Sequence, residues 1–374
     1  MNLQRRHVVV AGVQAAAALA LLGPRAARAL PFKALQFPRD FGSHPELKTE
    51  WWYITGQART GNSDKTGKND KNSHAQREFG FQITFFRSRV DGTQEMRSAF
   101  SARQLVFAHA AVTDLEGKKL WHDQRIARAG MGVASAADAN TDLRLRDWTL
   151  LRDAAGYHVR IPAGEFTLDL HFQPTQPVLL QGNAGLSRKG PDPAQASYYY
   201  SEPQLRMAGQ LVLNGRRFEV TGTAWLDHEW SEALLHPEAV GWDWLGMNLD
   251  DGSALTAFRL RDKSGGTLWS GGSFRSGAAT NQPPRVFNHG EVAFEPLRRW
   301  KSPASQASYP VEWSVQTPVG RFRVNALLDD QELDSRNSTG AIYWEGLSDL
   351  LDERGARVGR GYLEMTGYAQ PLRL

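Results

Sequence analysis

The sequence predicts an all-β protein made of two similar antiparallel β-barrels in tandem, over residues 35–224 and 225–374. Three observations carry that reading. Apolar and polar residues alternate at period two, as half-buried strands require, in Phe79-Gly-Phe-Gln-Ile-Thr-Phe-Phe86, Tyr157-His-Val-Arg-Ile161, Phe166-Thr-Leu-Asp-Leu-His-Phe172 and Gln210-Leu-Val-Leu213. Turn-forming pairs punctuate these segments: Asp91-Gly92, Glu116-Gly117, Asn214-Gly215, Asp251-Gly252 and Ser264-Gly265-Gly266. A strand motif also recurs, Glu219-Val-Thr-Gly-Thr-Ala224 and Glu364-Met-Thr-Gly-Tyr-Ala369, with a looser copy at Ile54-Thr-Gly-Gln-Ala58. A unit that starts and ends on matching strands is what a closed barrel produces, because its first and last strands must pair. Each half opens on a Trp-rich strand, Trp51-Trp52-Tyr53 and Trp242-Asp243-Trp244.

Residues 1–29 read as a cleaved export signal. Arg5-Arg6 form the positive region, Val8 to Leu22 an Ala-rich apolar run, and Ala27-Arg28-Ala29 a small-x-small cleavage site. The run is shorter than the roughly 20 residues a spanning helix needs. The arginine pair points to the twin-arginine route, although His7-Val8-Val9-Val10 lacks the usual flavour after the pair. A periplasmic or secreted location is therefore expected. The signal also holds the whole charge surplus. The chain has 44 Lys+Arg and 40 Asp+Glu, and Arg5, Arg6, Arg25 and Arg28 meet no acidic residue in the first 29 positions. The remainder balances, so no nucleic-acid partner is expected.

The chain has no cysteine. Disulfides, thiolate nucleophiles, iron–sulfur clusters and Cys-ligated zinc are excluded, and stability must come from the core. Residues 59–78 are polar, mixed in charge and without apolar period, which predicts a solvated hairpin insertion. Asp329 to Ser335 is expected to form one short helical turn.

Several chemistries find no motif. Gly185-Leu-Ser-Arg-Lys-Gly190 has the wrong spacing for a nucleophile elbow, and neither a His-Glu-x-x-His nor a phosphate-cradling loop occurs. What remains is Trp225-Leu-Asp227-His228-Glu229-Trp230-Ser231, followed by Gly241-Trp242-Asp243-Trp244. A carboxyl buried beside indoles stays protonated, and a neighbouring His can relay its proton. On a strand, however, Asp227 and Glu229 share one face and His228 takes the other. The competing reading is a hydrogen-bonded corner between domains. A metal site is not expected, since no second His lies at ligand spacing from His228. By the same alternation Trp51 and Tyr53 face one way and Trp52 the other, so at least one indole should line a barrel interior, and Tyr198-Tyr199-Tyr200 splits likewise. His109 reads as a satisfied strand histidine.

The chain resembles the AttH-like family of exported lipocalin-type proteins, which includes the bacterial carotenoid 1,2-hydratases (hydroxyneurosporene synthases). The resemblance rests on His44-Pro-Glu-Leu-Lys-Thr-Glu-Trp-Trp-Tyr-Ile-Thr-Gly56, Phe79-Gly-Phe-Gln-Ile-Thr-Phe-Phe-Arg87, Ser197-Tyr-Tyr-Tyr-Ser201, Trp225-Leu-Asp-His-Glu-Trp230 and Gly241-Trp-Asp-Trp244. It continues through Asp330-Gln-Glu-Leu333, Tyr343-Trp-Glu-Gly346 and Gly361-Tyr-Leu-Glu-Met-Thr-Gly-Tyr-Ala369. It implies two tandem lipocalin-like antiparallel β-barrels. It further implies cofactor-free addition of water to an isolated double bond, with Asp227, His228 and Asp243 as catalytic positions. An elongated apolar ligand, terpenoid or acyl lipid, would rest on Trp51, Trp52, Tyr53, Tyr199, Trp230, Trp242 and Trp244. Other relatives are described only as secreted hydrolases or accompany ABC-type permeases. The alternative expectation is thus a non-catalytic lipid carrier partnered with such a membrane permease.

Overall fold

The computed structural model describes residues 29–61 and 76–372. All but the last residue of the expected export signal, and most of the polar 59–78 segment, lie outside the described residues. The first sheet contains β1 (Thr49–Thr60), β2 (Glu78–Arg89), β3 (Gln104–Asp114), β4 (Lys119–Arg128), β5 (Ala134–Ala136), β6 (Asp142–Leu145), β7 (Trp148–Asp153), β8 (Gly156–Pro162), β9 (Phe166–Gln173), β10 (Leu179–Leu180), β11 (Leu186–Arg188), β12 (Ala196–Leu213) and β13 (Arg216–Ala233). The second contains β14 (Gly241–Leu249), β15 (Ala254–Arg261), β16 (Thr267–Arg275), β17 (Arg285–Phe287), β18 (Ala293–Lys301), β19 (Ser308–Thr317), β20 (Gly320–Ala326), β21 (Glu332–Ser335), β22 (Ala341–Leu351) and β23 (Arg357–Met365). Among the described residues, helix is confined to three single 3-10 turns, Arg39–Phe41, Asp91–Thr93 and Gly277–Ala279. The helical turn expected at Asp329 to Ser335 is instead mostly β21, which hydrogen-bonds to β22 from Glu332 onward.

Both sheets follow one plan. The first runs β4-β3-β2-β1-β13-β12-β9-β8-β7-β6-β5, with β10 and β11 also on β12; the second runs β17-β16-β15-β14-β23-β22-β20-β19-β18, with β21 on β22. In each, the first and last strands pair antiparallel, β1 with β13 and β14 with β23. The repeat motifs of the first unit meet directly there, Gly56 opposite Ala224 and Ala58 opposite Gly222. A Cβ on Gly222 would collide with the Gln57 carbonyl oxygen, so only glycine permits this approach. Neither ring closes completely: no ladder joins β4 to β5 or β17 to β18. Between β4 and β5 the chain doubles back through Gly130, Met131 and Gly132, with φ of 100°, 56° and 71°.

The turns behave as their chemistry demands. Asn214 and Gly215, at φ 51° and 75°, make the two-residue connection between β12 and β13 that a type I′ turn requires. β1 and β2 pair up to Arg59 opposite Glu78, so the polar segment joins two hairpin neighbours.

Alternation then sorts side chains between three cores. Trp52, Ile54, Leu226 and Trp230 fill the first sheet together with Phe79, Phe81 and Trp148. Leu245, Met247, Trp313 and Trp344 fill the second. The opposite faces of the same strands, bearing Tyr53, Trp225, Trp244, Phe258 and Tyr362, pack the sheets against each other.

A buried carboxylate fastens the end of the first core. Glu50 Oε1 accepts from His44 Nδ1 at 2.7 Å and His228 Nε2 at 2.9 Å, and Oε2 accepts from Arg87 Nε at 2.8 Å and from the His44 amide at 2.9 Å. His44 Nε2 reaches Asp40 Oδ1 at 3.0 Å. Burial opposes charge on Glu50, but the hydrogen bonds from His228 and His44 outweigh it and hold its pKa well below the carboxylate range. Burial likewise opposes charge on His44, and its bonds to Asp40 and Glu50 raise its pKa nonetheless. For His228 burial wins over Glu50, taking the pKa down to about 4 and leaving the ring neutral. Removing one partner from such a buried set strands the others. Glu50→Ala should therefore cost about 3–5 kcal/mol in urea unfolding, far more than truncation of an exposed carboxylate such as Glu116.

Candidate functional site

The sheet-to-sheet seam holds a partly open cavity of about 330 Å³. One wall comes from the first sheet: Trp51 and Tyr53 of β1, Gln82 and Phe86 of β2, His109 of β3, and Asp227 and Glu229 of β13. The other comes from the second: Trp242 and Trp244 of β14, Phe258 of β15, Tyr343 and Glu345 of β22, and Glu364 of β23. Most of the accessible lining is apolar, and carboxyls sit among it. Gly246 makes this packing possible, since a Cβ there would run into the Trp244 ring and press on Trp225.

The expected site residues divide by strand parity. Trp51, Tyr53, Trp242, Trp244 and Asp227 border the cavity. Tyr199 stands behind them, its hydroxyl donating to Asp227 Oδ2 at 2.7 Å and accepting from Trp244 Nε1 at 3.3 Å. Trp52, His228 and Trp230 point the other way, into the first core, where Trp52 stacks on His228 at 4.3 Å and Trp230 on His44 at 3.8 Å. These indoles occupy a sheet interior, but a filled one. Asp243 points into the second sheet, where Arg259 Nε at 2.7 Å, Arg261 Nε at 2.9 Å and the Tyr368 hydroxyl at 2.9 Å surround it. Asp227, His228 and Asp243 thus occupy three separate environments.

His44 supplies the second histidine that sequence spacing does not reveal: His44, Glu50 and His228 each place a ligand-type atom within 4.8 Å of the others. Their polar atoms are already committed to one another, to Asp40 and to the Tyr200 hydroxyl, 3.1 Å from His228 Nδ1. The three residues form one hydrogen-bonded unit.

The cavity's acids are of two kinds. Glu229 is paired with Lys189 at 3.0 Å and accepts from Ser197. Asp227, Glu345 and Glu364 have no basic partner among the described residues. Burial drives the Asp227 pKa up to about 7, against hydrogen bonds from Ser201 at 2.5 Å, Tyr199 at 2.7 Å and Trp225 at 2.7 Å. Glu345 and Glu364 lie directly opposite on β22 and β23. Burial raises both, and proximity to Glu364 raises Glu345 further. Two shielded carboxyls side by side cannot both ionise, so the pair keeps a proton at neutral pH. His109, hydrogen-bonded to Tyr343 and Ser338 at 2.8 Å each, is held neutral by burial, its pKa lowered to about 3.

Glu345, Glu364 and Gln82 stand in no catalytic cluster of the sequence. They lie in Phe79–Arg87, Tyr343–Gly346 and Gly361–Ala369, each at the polar position of the alternation, where such a side chain reads as solvent-facing. Strand pairing alone reveals that the two glutamates meet. A second pocket of about 420 Å³, bounded by Leu186, Tyr199, Trp269 and Phe287, shares Phe258 with the first.

Residues 28–368 match the family model described as AttH-like. The chain is similar to the crystal structure of a candidate AttH from Nitrosomonas europaea, with 46% identity and a TM-score of 0.80 over 91% of this chain and 99% of that one. It is also similar to kievitone hydratase from Nectria haematococca, with 15% identity and a TM-score of 0.63 over 86% of this chain and 90% of that one. The latter likeness is one of fold. No curated protein matches the chain. With a family model spanning nearly its whole length and a close structural relative at 46% identity, the chain belongs to the AttH-like family.

Proposed function

We propose that this protein binds a small apolar molecule, or one end of an elongated one, in the seam cavity and adds water to a carbon–carbon double bond by cofactor-free acid catalysis. One observation carries the reading: the opposed Glu345–Glu364 pair, Glu345 buried and Glu364 half-buried, uncompensated by any cation among the described residues and facing an aromatic cavity. The cavity volume of about 330 Å³ falls at the lower end of small-molecule sites, roughly 300–1,000 Å³. That a hydratase shares the fold is compatible with this chemistry and adds nothing to its proof.

The proton ledger closes within the cavity. The un-ionised Glu345 gives its proton to one alkene carbon, and the carbon–carbon π pair becomes the new C–H bond. The adjacent cationic carbon rests against the faces of Trp51, Trp242 and Trp244, which attract positive charge. Water attacks that carbon and releases a proton to ionised Asp227, whose carboxylate is held by Tyr199, Ser201 and Trp225. Transfer from Asp227 back to the glutamate pair restores the resting state.

Incubation with acyclic carotenes, shorter polyenes and unsaturated alcohols such as geraniol in ¹⁸O-labelled water should give, from at least one of them, products heavier by one labelled water, read by mass spectrometry. Glu345→Gln and Asp227→Asn should each lower kcat/KM by about 10²–10⁴-fold. Labelled product formed at the wild-type rate by Glu345→Gln would sink the mechanism.

The pH dependence has a definite sign. Asp227 must be ionised, so kcat/KM rises with pH through about 7. The glutamate pair must keep its proton, so activity falls again at higher pH. Glu364→Gln removes the charge that raises Glu345, and the falling limb should move to lower pH in a kcat/KM profile.

A further inference from the structure

Three buried polar atoms of the cavity wall form no hydrogen bond of good geometry: Tyr53 Oη, Gln82 Oε1 and Glu345 Oε1. They are neighbours. Tyr53 and Gln82 lie diagonally on β1 and β2, Tyr53 facing Thr84 and Gln82 facing Thr55, while the Glu345 carboxyl approaches the Tyr53 hydroxyl from the opposite wall as a weak, poorly aligned hydrogen-bonding neighbour. All three side chains are more than nine-tenths buried, Tyr53 at 6% and the others at 2% exposure. Orphaned groups at such depth are uncommon, and three around one cavity mark a place where a partner belongs.

The Gln82 amide sets the chemistry of that partner. Its Nε2 donates to Thr84 Oγ1 at 2.7 Å, which leaves Oε1 as an acceptor facing the cavity. Rotating the amide would satisfy Oε1 at Thr84 and expose Nε2 instead, so one end stays unpaired either way. Tyr53 offers an O–H donor, and Glu345 in its protonated form offers another. A group that both donates and accepts answers this set, and a hydroxyl is the smallest organic group that does so. A hydrocarbon would leave all three atoms bare.

We infer that the ligand of the seam cavity is an alcohol or phenol whose hydroxyl sits between Tyr53, Gln82 and Glu345. This rests on the reading that the cavity binds an organic molecule, and it does not depend on turnover.

Binding of matched pairs tests it, followed by quenching of the fluorescence of Trp51, Trp242 and Trp244, which line the cavity. Suitable pairs are geraniol with 2,6-dimethylocta-2,6-diene and 4-propylphenol with propylbenzene. The wild type should bind the hydroxylated member of at least one pair about tenfold more tightly, the penalty for leaving buried polar groups unpaired. In the Tyr53→Phe/Gln82→Leu double variant that preference should fall to about twofold or less. A cooperative thermal transition without ligand checks that the double variant folds, since Gln82→Leu also removes the bond to Thr84. Equal affinity of the wild type for both members, or a preference that survives in the folded double variant, would each overturn the hydroxyl subsite while leaving the cavity as a binding site. Failure of every compound to bind would overturn the binding reading itself, and the subsite with it.

Discussion

The architecture depends on the grip of one buried carboxylate, Glu50, on the strand behind it and the loop before it. Glu50 opposes Trp230 on β13, binds His228 on the same strand, binds His44 in the entering loop and reaches Arg87 on β2. Four chain segments far apart in sequence are thereby fixed at one end of the first core. Register follows from that. With Glu50 turned inward, Trp51 and Tyr53 must turn outward, and the pairing of Tyr53 with Asp227 puts both on the seam. A slip of one residue would send the aromatic wall of the cavity into the core and the network's charges into the seam.

The same parity explains what the sequence disclosed and what it withheld. The strands, the Asn214-Gly215 turn and the pairing of first with last strands follow from local chemistry, because alternation and turn conformation act over a few residues. The separation of Asp227 and Glu229 from His228 follows too, since strand geometry alone dictates it. The location of the cavity does not. Alternation shows that Trp51 and Trp52 face opposite ways, yet it cannot tell which side is filled. Phe79, Phe81 and Trp148, remote in sequence, fill the side that Trp52 faces. Nor does the chain announce that Glu345 and Glu364, nineteen positions apart, stand side by side on β22 and β23.

Asp243 illustrates the limit of reading a cluster from spacing. It stands between two seam tryptophans in sequence, and the pleat turns it away from both, into a cage of Arg259, Arg261 and Tyr368. There it neutralises two buried guanidinium groups that face Phe294, Trp313 and Tyr368. Its placement serves the second core as that of Glu50 serves the first.

How each carboxylate is compensated separates structure from chemistry. Burying a charge is costly unless it is paired, and a protein seeking only stability would pair its buried acids or replace them. This chain pairs Glu50 with Arg87 and His44, Asp243 with two arginines, and Glu229 with Lys189. Glu202, raised by burial and without an ion pair, is held in the first core by the Tyr157 hydroxyl. Asp227, Glu345 and Glu364 also lack a cation among the described residues, and these three share one cavity and are pushed towards the protonated form by burial. Cations were available to that seam, as Lys189 and its contacts with Tyr199 and Phe258 show. Fixed packing has no use for an acid kept un-ionised beside unpaired polar atoms and open space. Under the proposed function such an acid passes its proton to a bound molecule, and the missing counter-charge around this cavity is what supports that reading.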